Sequence, residues 1–445
     1  MKKIIFITDD LFIRNYIQSG VLDPIEDEET YYLASQRINH RRDLENKRNF
    51  LGYIEETDDR RELSFDLINT QMMRYNNRST SFLFRLKRYN KRMQWKFRVL
   101  SLPVVSDTVT GLLRKRMGTH PQLKKIFENI KPDLIIFPSA VAGTMDIDTL
   151  TLAKQMNIKT LYLIDGWDNL SSKTVFLDMP DYVGVWGEQS FEHAVRIHGI
   201  PKERIFQIGT PRFDHYFKAK KEELKSPYPF SYVLFAGNAI AFDEISALKI
   251  LDETVERMGI KNFKIVYRPH PWRQPRKCFD QFKESDFRHV ILDEQMKEGY
   301  GKLQKNKDGQ KAYYLPTLDY YPSLLNSALF LISPLSTMMI EAAIFDTPIL
   351  AITYDDGFHW TSPHNAYKYY EHFKGIERIK ALTLCPSKGE LGGCFEKMYN
   401  RFASAKKDKT IIDSIRYFLH FDDSSYSQRL KNILNKIEHE TIQLK

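Results

Sequence analysis

The stretch Leu329-Phe-Leu-Ile-Ser-Pro-Leu-Ser-Thr-Met-Met-Ile-Glu-Ala-Ala-Ile-Phe-Asp-Thr-Pro-Ile-Leu350 decides the fold class. An apolar run ends in Ser333, a good helix N-cap, and Pro334 then suits the first helical position, where its missing N–H costs nothing. An amphipathic turn follows, Pro348 stops it, and a second apolar run begins. Strand, helix and strand in about twenty residues is a parallel crossover unit. At such a junction free backbone N–H groups and the positive helix end meet the carboxyl end of a strand. That chemistry suits phosphate at the edge where open α/β sheets bind ligands. Ser333, Ser336 and Thr337 add hydroxyls. Glu341, one turn beyond Thr337, could accept hydrogen bonds from a ribose. An ordinary capped crossover helix with a surface Glu would read the same.

Working outward, the alternation persists. Strands are predicted at 3–7, 133–137, 160–164, 182–186 and 205–208, then at 232–236, 263–267, 289–292, 329–333 and 349–353. Helices are predicted between several of them, as at 144–156, 188–198 and 246–258. The 445 residues exceed one ordinary core, so two domains are expected. The predicted acceptor domain is 1–217, with a basic insertion at 22–120. Residues 215–231, Lys-rich and then Ser226-Pro-Tyr-Pro229, read as a linker. The predicted donor domain is 230–405, and helices at 406–445 should pack back toward the first domain. The Gly- and Lys-rich stretch 294–312 reads as a surface loop.

The hydrophobic share of 42% and charged share of 28% exclude a disordered chain. Net charge +9 suits anionic partners without choosing among them. Cys278, Cys385 and Cys394 are too few and scattered for a disulfide framework or zinc cluster, which fits a reducing cytoplasm. The opening apolar run, Ile4 to Ile7, is too short for a secretory signal and reads as a strand.

Two further units carry chemistry in the second half. In Phe263-Lys-Ile-Val-Tyr-Arg-Pro-His-Pro-Trp272 a strand ends in Arg268, and His270 sits between two prolines that stiffen the loop. A permanent cation and a titratable ring are thereby fixed at a strand end, although a lone His often only caps local backbone. In Val233-Leu-Phe-Ala-Gly-Asn238 the strand ends in Gly237 and Asn238, which lets a ligand approach the backbone. Asp355-Asp356, after the strand at 349–353, could bind a divalent ion, but no metal is expected to be required.

In the first half, Leu161-Tyr-Leu-Ile-Asp-Gly-Trp-Asp-Asn-Leu-Ser-Ser-Lys173 is the densest polar cluster. Trp167 with Asn169, Ser171 and Lys173 has the makings of a sugar site, the ring stacking on C–H faces while polar groups take hydroxyls. Asp165 or Asp168 is the candidate general base toward an acceptor hydroxyl. A polar strand-to-helix loop with Asp168 as cap is the alternative.

Arg-Pro-His-Pro at 268–271, followed by Ser-Pro-Leu-Ser-Thr…Glu…Asp-Thr-Pro at 333–348, resembles the donor domain of GT-B glycosyltransferases of bacterial surface-polysaccharide assembly. Capsule-type transferases, CDP-glycerol glycerophosphotransferases and bacterial sialyltransferases share this pattern. Gly187-Glu188 and Gly209-Thr-Pro-Arg-Phe-Asp214 resemble the end of the acceptor domain in the same group. The resemblance implies two Rossmann-like domains facing a cleft. It implies a nucleotide-sugar donor, CMP- or CDP-linked before UDP-linked, with no required cofactor. His270, Arg268, Ser336 and Thr337 would hold the donor phosphate, and Asp165 would serve as base from across the cleft. It also implies a glycan or lipid-linked acceptor at the inner face of the cell membrane.

From Leu67 to Ser106 there is no acidic residue, while Arg74, Arg78, Arg85, Lys87, Arg88, Lys91, Arg92, Lys96 and Arg98 alternate with Phe82, Phe84, Trp95 and Phe97. Residues 74–98 therefore suit contact with an anionic membrane surface. A nucleic-acid-binding protein using 67–106 is an alternative function, with nucleic acid not the expected partner. A solvated helix with core-facing aromatics is the plain reading. A UDP-sugar 2-epimerase-type isomerase, built on the same two-domain architecture, is the other alternative.

Overall fold

The structure, a computed structural model, describes residues 1–38, 42–139, 143–270, 282–297 and 320–443. The chain divides into two compact units. Unit 1 comprises Met1–Arg212, Tyr370–His372 and Tyr417–Lys445, and unit 2 comprises Phe213–Tyr369 and Phe373–Arg416.

Unit 1 is built on β1 (Lys3–Ile7), β2 (Thr30–Ser35), β3 (Phe50–Ile54), β4 (Leu134–Ser139), β5 (Lys159–Ile164), β6 (Tyr182–Val185) and β7 (Ile205–Gln207). Their order is β3-β2-β1-β4-β5-β6-β7, and every pairing is parallel. Unit 2 carries β8 (Ser231–Ala236), β9 (Phe263–Arg268), β10 (Val290–Leu292), β11 (Leu331–Ser333), β12 (Ile349–Ile352) and β13 (Leu382–Cys385). Their order is β10-β9-β8-β11-β12-β13, again parallel throughout. The strands are near-continuous apolar runs because helices cover both faces. Strand order reverses between β1 and β4 in one sheet and between β8 and β11 in the other, and ligands bind parallel sheets at such points.

All ten predicted strands form. The stretch 22–120, predicted as lying outside the sheet, divides differently. Its first part supplies β2 and β3, and only then do helices α1 (Asp58–Arg74), α2 (Thr80–Leu86), α3 (Lys91–Leu100), α4 (Pro103–Met117) and α5 (Pro121–Ile130) follow. These helices pack around a cluster that includes Leu67, Met72, Phe82, Leu86, Phe97 and Met117 and is shared with Ile147, Val175 and Ile197. Phe82, Phe84 and Phe97 are buried, so three of the four aromatics expected on a basic surface are core residues. Glu371, from the short return segment of unit 1, accepts from the Thr80 backbone N–H (3.2 Å) and hydroxyl (3.0 Å) at the start of α2. It also pairs with Arg196.

The end of the chain completes unit 1. Tyr426, Leu430, Ile433, Leu434 and Ile437 of α6 (Tyr426–Gln443) share one cluster with Ile5, Tyr16 and Leu163. Ahead of that helix, the chain presses its backbone onto two glycines. A Cβ on Gly187 would lie 2.9 Å from backbone atoms of Phe418 and Leu419, and one on Gly209 would lie 2.6 Å from the His420 carbonyl oxygen. The His420 N–H donates to the Trp186 carbonyl at 2.6 Å, and the Gln189 N–H donates to that of Tyr417 at 2.8 Å. No described helix is long and apolar enough to cross a membrane. The surface loop expected at 294–312 falls mostly on residues outside those described.

Candidate active site

In unit 1 the residues of interest sit on the carboxyl edge of the sheet. β5 delivers Asp165 there, its backbone N–H donating to the Ser139 carbonyl at the end of β4 (3.0 Å). Asn15, from the segment after β1, reaches over and donates its side-chain amide to both carboxylate oxygens, at 3.3 and 3.4 Å. Asp165 is buried. Burial pushes its carboxyl up to about 6, while the charges of Arg212 and Arg14 and the Asn15 hydrogen bonds oppose the rise and Asp9 adds to it. A carboxyl group poised there gives and takes protons near neutral pH. Nothing in the sequence linked Asn15 and Arg212 to Asp165, since each lies far away along the chain and is brought in by a different strand end.

The rest of the cluster is turned inward. Asp168 pairs with Lys173 at 2.9 Å. Burial alone would raise the Asp168 carboxyl, but Lys173, His372 and the Ser172 hydroxyl hold it below its ordinary value. Trp167 is only 4% exposed. Its indole N–H donates to Gln189 at 2.7 Å, and its ring meets His372 and Phe418 edge-on at 5.2 and 5.6 Å. Asn169, fully buried, donates to the Ser139 carbonyl at 2.5 Å. Ser171 is equally buried, its carbonyl accepting from the Ser79 hydroxyl at 2.5 Å. These side chains are thus bonded mainly to the surrounding unit, and an indole wedged between rings offers no stacking face.

In unit 2 the switch point between β8 and β11 gathers several predicted residues. Asn238, just past β8, donates its side-chain amide to the carbonyls of Pro334 (3.1 Å) and Leu335. The Ser333 and Ser336 hydroxyls meet at 2.9 Å. Gly237 lets the Glu244 carboxylate come close, since a Cβ would lie 2.6 Å from it and displace it. That carboxylate accepts from the Asn238 N–H (3.0 Å) and the Tyr267 hydroxyl (2.6 Å).

The crossover helix differs from its prediction. Ser333 closes β11 and does not cap the helix. Leu335 then adopts a left-handed conformation (φ 63°), and the helix runs Met338–Ile344 with Thr337 at its N-cap. Pro334 disfavours the helical region at Ser333, and the Pro334 and Leu335 carbonyls are taken by Asn238. The Thr337 side chain makes no capping bond. Glu341 is buried and accepts from the Tyr216 hydroxyl at 2.8 Å.

Arg268, at the end of β9, is also committed. It is 4% exposed and forms an ion pair with the fully buried Asp293. It donates to the Tyr321 hydroxyl at 3.1 and 3.3 Å, over whose ring it lies at 4.6 Å. Asp293 also accepts from Tyr228 at 2.8 Å. His270 follows two residues later and is half-buried, while the second proline of its predicted stiff loop lies outside the described residues. Asp356 accepts from its neighbours, including the His359 ring at 2.6 Å. Burial alone would raise its carboxyl, yet these bonds hold it low. Among the described residues no group of three or more His, Cys, Asp or Glu could hold a metal ion.

No protein-family model and no curated protein matches the chain. Solved structures do. UDP-GlcNAc 2-epimerase from Neisseria meningitidis, bound to UDP-GlcNAc, matches at TM-score 0.53 and 10% identity over 98% of this chain and 100% of that one. The Methanocaldococcus jannaschii UDP-GlcNAc 2-epimerase, in complex with UDP-GlcNAc and UDP, matches at 0.50 and 14% over the same shares. The wall teichoic acid polymerase TagF matches at 0.43 and 14%, over 99% and 90%, which is too loose to add weight. At these identities the likeness establishes the α/β two-unit fold and nothing finer.

Proposed function

We propose that this chain is a glycosyltransferase, moving a sugar or polyol phosphate from a nucleotide-activated donor to a glycan or lipid-linked acceptor. The observation that carries the reading is the buried Asp165 carboxyl, raised to about 6 at the carboxyl edge of a parallel sheet. In the proposed step the acceptor hydroxyl attacks the activated carbon as its proton passes to Asp165. For a sugar donor the bond from that carbon to the phosphate oxygen breaks, and the nucleotide leaves with the electron pair. For a polyol-phosphate donor the hydroxyl attacks the distal phosphorus instead, and the bond from it to the bridging oxygen breaks, releasing the nucleoside monophosphate. Unit 2 holds the nucleotide, with the Ser336 and Thr337 hydroxyls and His270 as donors to its phosphate. Arg268 supports that edge from behind, since its charge is already matched by Asp293.

Cytidine is the base suggested by the sequence resemblance, and uridine the base bound by the epimerases of like fold. A thermal-shift panel of CMP, CDP, UDP, GDP and TDP separates them. A nucleotide that binds only the native state adds about 2.7 kcal/mol at a hundredfold excess over Kd. His270→Ala and Thr337→Ala should each weaken that binding by about 1.5–3 kcal/mol. Unchanged affinity in both removes them from the donor site. Asp165→Asn should bind nucleotide normally and lose about 100- to 10,000-fold in transfer.

UDP-sugar 2-epimerisation is the second reading, favoured by the names of the structures of like fold. A carboxyl that accepts a proton from a sugar carbon would serve it equally. Incubation with donor alone decides: an epimerase converts it without an acceptor, and a transferase leaves its stereochemistry intact.

A further inference from the structure

Among the described residues, four large apolar side chains open to solvent gather in one place in unit 1, while unit 2 exposes Phe358 and Trp360. Trp95 is 68% exposed, Leu102 52%, Val104 90% and Leu112 61%, and all four lie on α3, α4 or the turn between them. On α3, Lys91, Trp95 and Arg98 recur at helical spacing along one face and lead to Leu102. Phe97 points the other way, into the helical core. On α4, Val104, Thr108, Leu112 and Lys115 share a face in the same manner. Only Pro103 separates Leu102 from Val104, so the two stripes meet at the tip of the hairpin.

Their charge has one sign. Lys91, Arg92, Arg98, Lys115 and Arg116 are exposed, and none forms an ion pair with another described residue. Two acids beside the hairpin are taken, Asp66 by Lys96 (2.7 Å) and Asp107 by Arg74 (2.6 Å), while Arg116 lines a cavity with Glu55 and Asp59. We propose that the α3–α4 hairpin is a membrane-docking surface for anionic phospholipid, with Trp95, Leu102, Val104 and Leu112 entering the headgroup boundary and the five cations meeting lipid phosphates. Apolar side chains ringed by Lys and Arg have the chemistry of an interfacial anchor. A second copy is a poor occupant, because two identical cationic faces repel. Nucleic acid would engage the cations and stack on Trp95, but has no use for exposed Val104 and Leu112. This goes beyond the transferase reading and does not depend on it.

The test is flotation of the full chain with vesicles of phosphatidylcholine alone and of phosphatidylcholine with phosphatidylglycerol at about 2:1, in about 0.1 M salt where screening is moderate. The chain should float with the anionic vesicles and bind the neutral ones at least about 10-fold more weakly. Trp95→Ser/Val104→Ser should lose about 10-fold in affinity for anionic vesicles, and Lys91→Glu/Arg92→Glu/Arg98→Glu should abolish binding. Leu102→Asp is a second apolar-face variant, and melting temperatures confirm that each variant folds. Equal binding to both vesicle types overturns the proposal, as does anionic binding untouched by the apolar-face variants. So does RNA binding lost in the charge variant with no vesicle binding, or a dimer on sedimentation that the same variants dissociate.

Discussion

Asp165 gives up its proton less readily in the folded chain than in the unfolded one. Its folded value of about 6 lies above the ordinary value for Asp, about 3.9. The stability tied to this carboxyl is therefore fully present below about pH 4 and lost as pH rises through about 6. Asp165→Asn should accordingly be more stable than the parent at pH 8 by about 3 kcal/mol, and gain little at pH 4. Transfer by the parent should rise with pH to a plateau above about 6. A melting difference that does not change with pH would place the charge elsewhere. Trp167 behaves oppositely. As a core residue, Trp167→Ala should cost about 3–5 kcal/mol in urea unfolding, whereas a residue that only stacks on acceptor would raise KM and leave stability alone. The sequence placed both residues on one loop, and the structure buries both and separates them by their partners. Which member of a polar cluster is used and which is packed away depends on Gln189, His372 and Phe418, none of them near in sequence.

At the scale of elements, the Asn238 side chain ties the end of β8 to the turn after β11. Asn238→Ala would leave the Pro334 and Leu335 carbonyls without their donor, costing about 1–3 kcal/mol, and would free the turn that sets Ser336 and Thr337. Nucleotide affinity should fall with it, while Asp165 and its pH dependence stay as they were. Affinity equal to the parent would show that this turn does not hold the nucleotide. The strands were legible where burial on two sides goes with an unbroken apolar run, as in Leu331–Ser333 or Ile349–Ile352, whereas Thr30–Ser35, equally interior but opened by Thr and closed by Ser, was missed. Phe50–Ile54 was missed too. It is an edge strand, half-exposed along most of its length and interrupted by Gly52, so its composition is that of a loop. The helix start was misplaced for a local reason. Ser-Pro signals a cap, but a left-handed Leu335 moves the first turn onward, and non-glycine residues rarely adopt that conformation.

Across the whole molecule, unit 1 is discontinuous. The apolar spacing of the tail predicted a helix, yet spacing cannot name the surface a helix will cover. Tyr426, Leu430, Ile433, Leu434 and Ile437 join the core beside β1, and burial of such side chains contributes about 1.5–3 kcal/mol each. Together that is comparable to the net stability of a domain, about 5–15 kcal/mol. A chain ending at Arg416 should therefore leave unit 1 open to limited proteolysis while unit 2 stays protected, and a protease-resistant unit 1 in that truncation would contradict this accounting. Gly187 and Gly209 acquire their meaning at this scale too, as the two positions where backbone returning from the far end of the chain must pass without a side chain in the way. The same return fixes a schedule on the ribosome. Translation delivers β1 to β7 first, but the helix that seals them emerges only after roughly 200 further residues, a delay on the order of 10–40 s at about 5–20 residues per second. During that interval the nascent amino-terminal sheet presents bare aliphatic surface, and this half of the chain is the natural client of chaperones during synthesis.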